Sequence, residues 1–125
     1  MGGRGKWSYT SGRIVNYNKA VIRRNKISDY VLNPSKAKGK DKFLKSLGYS
    51  MKNHERLKKD LLQGSKNNPV RVSEPNKYGR IHYQVNMEIG IDKKAKVVTV
   101  WVKDKGDSAP RFETLRPYKG KKDDF

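Results

Sequence analysis

Residues 94–115 carry the densest alternation in the chain. Val98, Val100 and Val102 interleave with Val97, Thr99 and Trp101, and side chains along a strand point to opposite faces with a period of two. β-Branched and aromatic residues at that density predict a strand. The Asp, Gly, Ser and Pro of 103–110 predict a turn, after which 111–115 returns as a second short strand. A valine row turned to the core leaves Thr99 and Trp101, with Arg111 and Glu113, on the opposite, working face. Upstream, 80–89 alternates more cleanly still. Ile81, Tyr83, Val85, Met87 and Ile89 form one row, and Arg80, His82, Gln84, Asn86 and Glu88 the other. Residues 90–93 join the two strands as a hairpin turn. A further short strand is expected at 70–72, followed by a turn over 74–79.

The first half reads as helical after an extended stretch at 14–22. Ile27, Tyr30 and Val31 share a face over 24–32, and Asn33 with Pro34 stops that helix. Phe43, Leu44 and Leu47 repeat at helical spacing, with Gly48 placed as a C-terminal cap. Over 49–63, Leu57, Leu61 and Leu62 make an apolar stripe, Ser50 or Asn53 caps the start, and Gly64 ends the helix. The expected fold is α+β: two or three N-terminal helices followed by a three- to four-stranded antiparallel sheet, helices on one face and the other face free. Residues 1–13 read as a flexible basic Gly-rich arm, 14–118 as one domain, and 119–125 as a polar tail that frays.

Charge changes the picture more than composition does. The chain of 125 residues has 30 Lys and Arg against 12 Asp and Glu, a formal net charge of +18. Self-repulsion of that size opposes the compact state, so a polyanionic partner is expected, with RNA favoured. No apolar run approaches the ~18 residues that would span a bilayer, and the N-terminus has no hydrophobic signal core. The protein is therefore expected to be soluble and made in a cytoplasm, without membrane association. The absence of cysteine removes disulfides and thiolate metal sites, and His54 and His82 have no companions at ligand spacing, so neither a metal nor a cofactor is expected.

On the free face the candidate residues are Arg80, His82, Gln84, Thr99, Trp101, Arg111 and Glu113. Cleavage of RNA by its own 2′-hydroxyl needs a base for that proton, cations for the phosphate and an acid for the leaving oxygen. His82 and Glu113 are suited to the acid and base roles, and Lys42, Arg80 and Arg111 to the charge. Lys36, Lys38 and Lys40 crowd the start of the second helix, where free amides and the dipole also favour phosphate. Each has a plainer reading. The lysines can be a solvated face, His82 an ordinary surface residue, Trp101 a core or arm contact, and Arg111 a structural partner of Glu113 or Asp107.

Several segments together resemble a known pattern: Lys19, Ala20, Val21 and Ile22; Ile27 through Pro34; Gly39 and Lys42; Leu47, Gly48 and Tyr49; Tyr78 and Gly79; Thr99, Val100 and Trp101; Pro110 and Arg111. In order and spacing they are similar to an uncharacterised bacterial domain found at the C-termini of polymorphic toxins and in phage-associated proteins. That resemblance implies a relative of the barnase, EndoU, colicin and RelE-like ribonucleases, with helices ahead of a sheet whose exposed face holds the active site. It carries Lys42, Thr99, Trp101 and Arg111 onto family-like positions. Members of that group often have a histidine and proline shortly before the glycine at 39, where this chain has Ala37 and Lys38; were that histidine catalytic, this chain would be inactive or would use His82 instead.

The expected function is thus a metal-independent ribonuclease of toxin type, acting on RNA such as tRNA, or a phage-borne relative of one. Lys42 and Arg111 would hold the phosphate, His82 and Thr99 would stand near the ribose, and Trp101 would stack on a base. The alternative is a non-enzymatic basic protein of a phage or mobile element that binds nucleic acid through charge. A third reading makes the basic face the dock for an acidic immunity-type protein.

Overall fold

The computed structural model describes residues 7–10, 20–23, 26, 27, 33 and 39–124. The helix expected over 24–32 lies mostly outside them; of it, Lys26 and Ile27 are helical, and Ile27 is buried in the core. Helix α1 is Lys40–Ser46 and helix α2 is His54–Asn67, preceded by a 3₁₀ turn at Met51–Asn53. Strands follow at Val70–Ser73 (β2), Ile81–Ile89 (β3), Ala95–Lys103 (β4) and Arg111–Pro117 (β5), and an N-terminal strand, Trp7–Thr10 (β1), joins them. The five form one antiparallel sheet in the order β1-β2-β3-β4-β5. The architecture is α+β, helices ahead of an antiparallel meander. Four residues assigned to a flexible arm are the correction, since Trp7–Thr10 closes the sheet edge along β2.

Local chemistry explains the helix boundaries. Leu47 closes α1 and Gly48, at φ 104°, turns the chain in the left-handed region that glycine adopts without strain. Ser50 and Asn53 satisfy each other's backbone amides in a capping box ahead of α2. Gly64 does not end α2, which runs three residues further to Asn67. Its lack of a side chain serves packing instead: a Cβ there would meet the Met87 sulfur at 2.3 Å, so glycine lets the helix settle onto β3.

Leu44, Leu47, Leu57 and Leu61 from the helices pack on Tyr83, Val85, Met87 and Ile89 of β3, Val97 and Trp101 of β4, and Phe112 and Leu115 of β5. Register decides this face. Tyr83 lies opposite Trp101, Val85 opposite Thr99 and Met87 opposite Val97, so the whole Val97, Thr99, Trp101 row turns toward the helices. Thr99 and Trp101 are therefore core residues, both fully buried, and the placement of the valine row toward the core is reversed. Inside, the Trp101 Nε1–H donates to Thr99 Oγ1 at 2.9 Å, and the Thr99 hydroxyl donates to the Val85 carbonyl at 2.8 Å. A buried indole N–H and a buried hydroxyl are satisfied together by that relay.

Candidate nucleic-acid interface

The face of the sheet away from the helices is built in cross-strand rows. His82 lies opposite Val102, and Val102 opposite Arg111. With strands about 4.8 Å apart, His82 and Arg111 stand about 10 Å apart across one end of that face. The next row holds Arg71, Gln84, Val100 and Thr114, and the next Asn86, Val98 and Arg116. A register shift between Val100 and Trp101 leaves Glu113 without a cross-strand partner on β4, a bulge of the kind that re-aims side chains.

At the His82 end, two arginines converge on one carboxylate. Arg80 holds Asp104 through Nε at 2.6 Å and Nη2 at 3.1 Å, and Arg111 donates from Nη2 to Asp104 at 2.8 Å and from Nη1 to Asp107 at 3.1 Å. Hydrogen bonds from Arg80 and then Arg111 hold the Asp104 carboxyl well below its ordinary range, and the reciprocal bond from Asp104 pushes Arg80 up. The two guanidiniums are thereby fixed in position at one edge of the face, each tied to a carboxylate. The parallel bridge from Val21 to Arg111 braces β5 there, with the Val21 N–H on the Pro110 carbonyl and the Phe112 N–H on the Val21 carbonyl. Glu113 faces Lys26, at 3.8 Å.

Farther along, the C-terminal segment lies across the face. The Asp123 carboxylate accepts from Arg116 Nη1 at 2.9 Å and Nη2 at 2.6 Å and from the Lys119 N–H at 2.6 Å. Its backbone carbonyl accepts from Asn86 Nδ2 at 2.7 Å and Gln84 Nε2 at 3.2 Å, while Arg71 donates to Gln84 Oε1 at 2.8 Å. Asp123 is 1% exposed. The expectation that 119–125 frays is corrected for 119–124: Lys121–Asp123 forms a 3₁₀ turn docked by its acid. Periodicity gives no sign of this, because one carboxylate and its distant partners carry the contact.

The Arg116 hydrogen bond holds the Asp123 carboxyl down to about 2, from an ordinary 3.8, against the opposing effect of burial; the Lys119 amide and the charge of Lys122 add to the lowering. Arg71 faces the same carboxylate from β2, its own ionisation weakened by burial. A depressed carboxyl stabilises the fold fully above its unfolded value and loses that contribution as pH falls through its folded value. Thermal melts should therefore be flat above pH 3.8 as far as this group is concerned and decline toward pH 2, with Asp104 acting in the same sense. In Asp123→Asn the tail's share of that decline should vanish.

The lysines predicted at the start of α1 divide. Lys36 and Lys38 lie outside the described residues, Lys40 donates to Thr114 Oγ1 at 2.6 Å, and Lys42 is exposed on α1. Cations also stand exposed on both layers, Lys45, Lys59 and Lys66 on the helices and Lys94, Lys96 and Lys105 on the sheet side. Among the described residues, no group of three or more His, Asp or Glu is placed to hold a metal ion, and no helix is long and apolar enough to cross a membrane.

Of the predicted site residues, the structure brings His82, Arg80 and Arg111 to one end of the face away from the helices, where Val98 and Val102 are buried as well, and withdraws Thr99 and Trp101 into the core. Gln84, Asn86 and Arg116 join that face, and of these Arg116 escaped the sequence reading. No local pattern marked it, because Arg116 meets the polar row of β3 only through Val98 of β4, in the register of the folded sheet. A family model described as a domain of unknown function, DUF6883, matches residues 13–119. No curated protein and no solved structure matches the chain.

Proposed function

The chain belongs to the DUF6883 family, and from that premise we propose that it binds nucleic acid, RNA first, through the polar residues of the sheet face away from the helices and the lysines around it. What carries the reading is a formal charge of +18 distributed as exposed cations over both layers. Phosphate neutralisation with counterion release is the interaction such a surface supports best. A bacterial cytoplasm is the setting in which such a partner would be met.

One observation favours a second, catalytic reading. His82 and Arg111 share a row, with Arg80 beside them; the three side chains are half-buried around Val102, which is fully buried between the first two. In a metal-independent ribonuclease of toxin type, His82 would take the 2′-hydroxyl proton as the 2′-oxygen attacks phosphorus. The 5′-oxygen would leave with a proton from water, and a 2′,3′-cyclic phosphate would form while Arg80 and Arg111, exchanging Asp104 and Asp107 for the phosphate, neutralise it. Thr99 and Trp101 have no part in this version. An acidic immunity-type protein is the partner it would call for, in the setting of a toxin or a phage-borne relative.

Total RNA and purified tRNA incubated with the protein in EDTA separate these readings. Binding should retard RNA on a native gel, with affinity falling steeply as salt rises. Intact, unretarded RNA at about 50 mM salt would overturn the proposal. Discrete products that disappear in His82→Ala while retardation persists would establish cleavage. Intact but retarded RNA would leave a binder alone.

A further inference from the structure

Resting on the nucleic-acid reading, and deepening it, we propose that the cradle formed by Arg116, Gln84, Asn86 and Arg71 is a phosphate subsite for single-stranded RNA, which the chain's own Asp123 turn occupies and RNA displaces. The donor set is the first reason. A guanidinium that grips two oxygens of one anion, two carboxamide N–H₂ groups and the Lys119 amide converge on a single short acidic turn. Bidentate guanidinium binding suits carboxylate and phosphate equally. The carboxamides of Gln84 and Asn86 suit base edges or sugar hydroxyls once the Asp123 carbonyl leaves.

The occupant is the second reason. It is a three-residue 3₁₀ turn, entered through Gly120 at φ 92° with open space around it. Within it Lys121 and Lys122 are exposed and Asp123 alone is buried. A short turn anchored through one carboxylate exchanges more readily than a strand or helix, whose contacts are many. The cradle also continues the row structure toward His82, two positions from Gln84 along β3. A strand of RNA tracking from Arg111 toward Arg116 would thus follow one face.

Competition sets the size of the effect. A ligand that needs a site open only a fraction of the time binds more weakly by that fraction. With the turn docked about nine-tenths of the time, releasing it should tighten RNA binding about tenfold.

The test uses the full chain and a fluorescent single-stranded RNA 12-mer, titrated at fixed salt. Asp123→Asn should bind about tenfold tighter, whereas Asp124→Asn, which makes the same charge change at an exposed neighbour, should gain much less. Adding Arg116→Gln to Asp123→Asn should remove the gain. Equal gains in the two single variants would mean general electrostatics and overturn the subsite, as would a double variant that keeps the gain. Because Asp123→Asn can also loosen the fold, a second measurement uses the otherwise native chain. Lys121→Cys introduces a unique cysteine for a spin label, whose mobility should rise as RNA saturates the protein. RNA that binds with no change in the label overturns the subsite and leaves the functional proposal standing. If neither the native chain nor Asp123→Asn binds RNA, both proposals fall.

Discussion

Trp101→Ala should lower stability by about 3–5 kcal/mol and the melting temperature by about 10–20 °C. The indole is fully buried, packs edge-on against Phe112 with ring centroids 5.5 Å apart, and donates to Thr99. Truncation would leave a cavity between helices and sheet that close-packed neighbours fill only in part. Against a total of about 5–15 kcal/mol for a domain, that loss is a large share. Where the variant is still folded, its RNA affinity should match that of the unaltered chain. A base-stacking tryptophan would give the opposite pattern, with stability near normal and RNA binding weakened by about 1–3 kcal/mol. Chemical denaturation and RNA titration of the same preparation decide between them.

Gly90→Ala should cost about 3 kcal/mol or more, for reasons confined to the backbone. Gly90 has φ 140°, and a Cβ there would stand 1.9 Å from the Lys93 carbonyl oxygen and 2.9 Å from the Lys94 Cα. Neither obstacle is a side chain that can rotate away, so the hairpin itself must shift. That hairpin is tied to the junction of the helices. The Gly90 N–H donates to the Tyr49 hydroxyl at 2.8 Å, Tyr49 donates to Asp60 at 2.6 Å, and the Ile91 and Asp92 amides both donate to the Leu47 carbonyl. Burial and the Asp60 carboxylate both push the Tyr49 phenol up, keeping it neutral and a donor. Moving the turn would therefore loosen the anchor between β3–β4 and the helix junction. Gly106→Ala is the matched comparison, since Gly106 also has positive φ, 91°, but open space around it. It should cost only the left-handed strain, about 1–2 kcal/mol, and thermal melts of the two variants should differ accordingly.

Period-two alternation sufficed for β3 and β4, and helical spacing for α1 and α2, because each pattern was strong over its own residues; β5 was legible only as the return from the turn over 103–110, since its bulge sets the buried Phe112 and Leu115 three residues apart. Gly64 misled as a helix stop because glycine ends helices and also admits close neighbours, and only Met87, 23 positions away in the sequence, shows which applies here.

What the chain alone determined is α1, α2 and the strands β2 to β5, their order and the charge they carry; β1 and the docked C-terminal turn were not legible in it. Which side of β4 faces the helices was decided by tertiary structure. Both of its rows are apolar enough for burial, one with Val98, Val100 and Val102 and the other with Val97, Thr99 and Trp101, so periodicity is symmetric between them. Pairing with β3 breaks the tie, because Tyr83, Val85 and Met87 must share a face with Trp101, Thr99 and Val97. A one-residue shift in register would exchange every side chain between core and solvent. The docking of Asp123 was equally beyond local pattern. Arg116, Gln84 and Asn86 are separated from it by as many as 39 positions, and only the folded sheet sets them side by side, Arg116 on the Asp123 carboxylate and the two carboxamides on its backbone carbonyl.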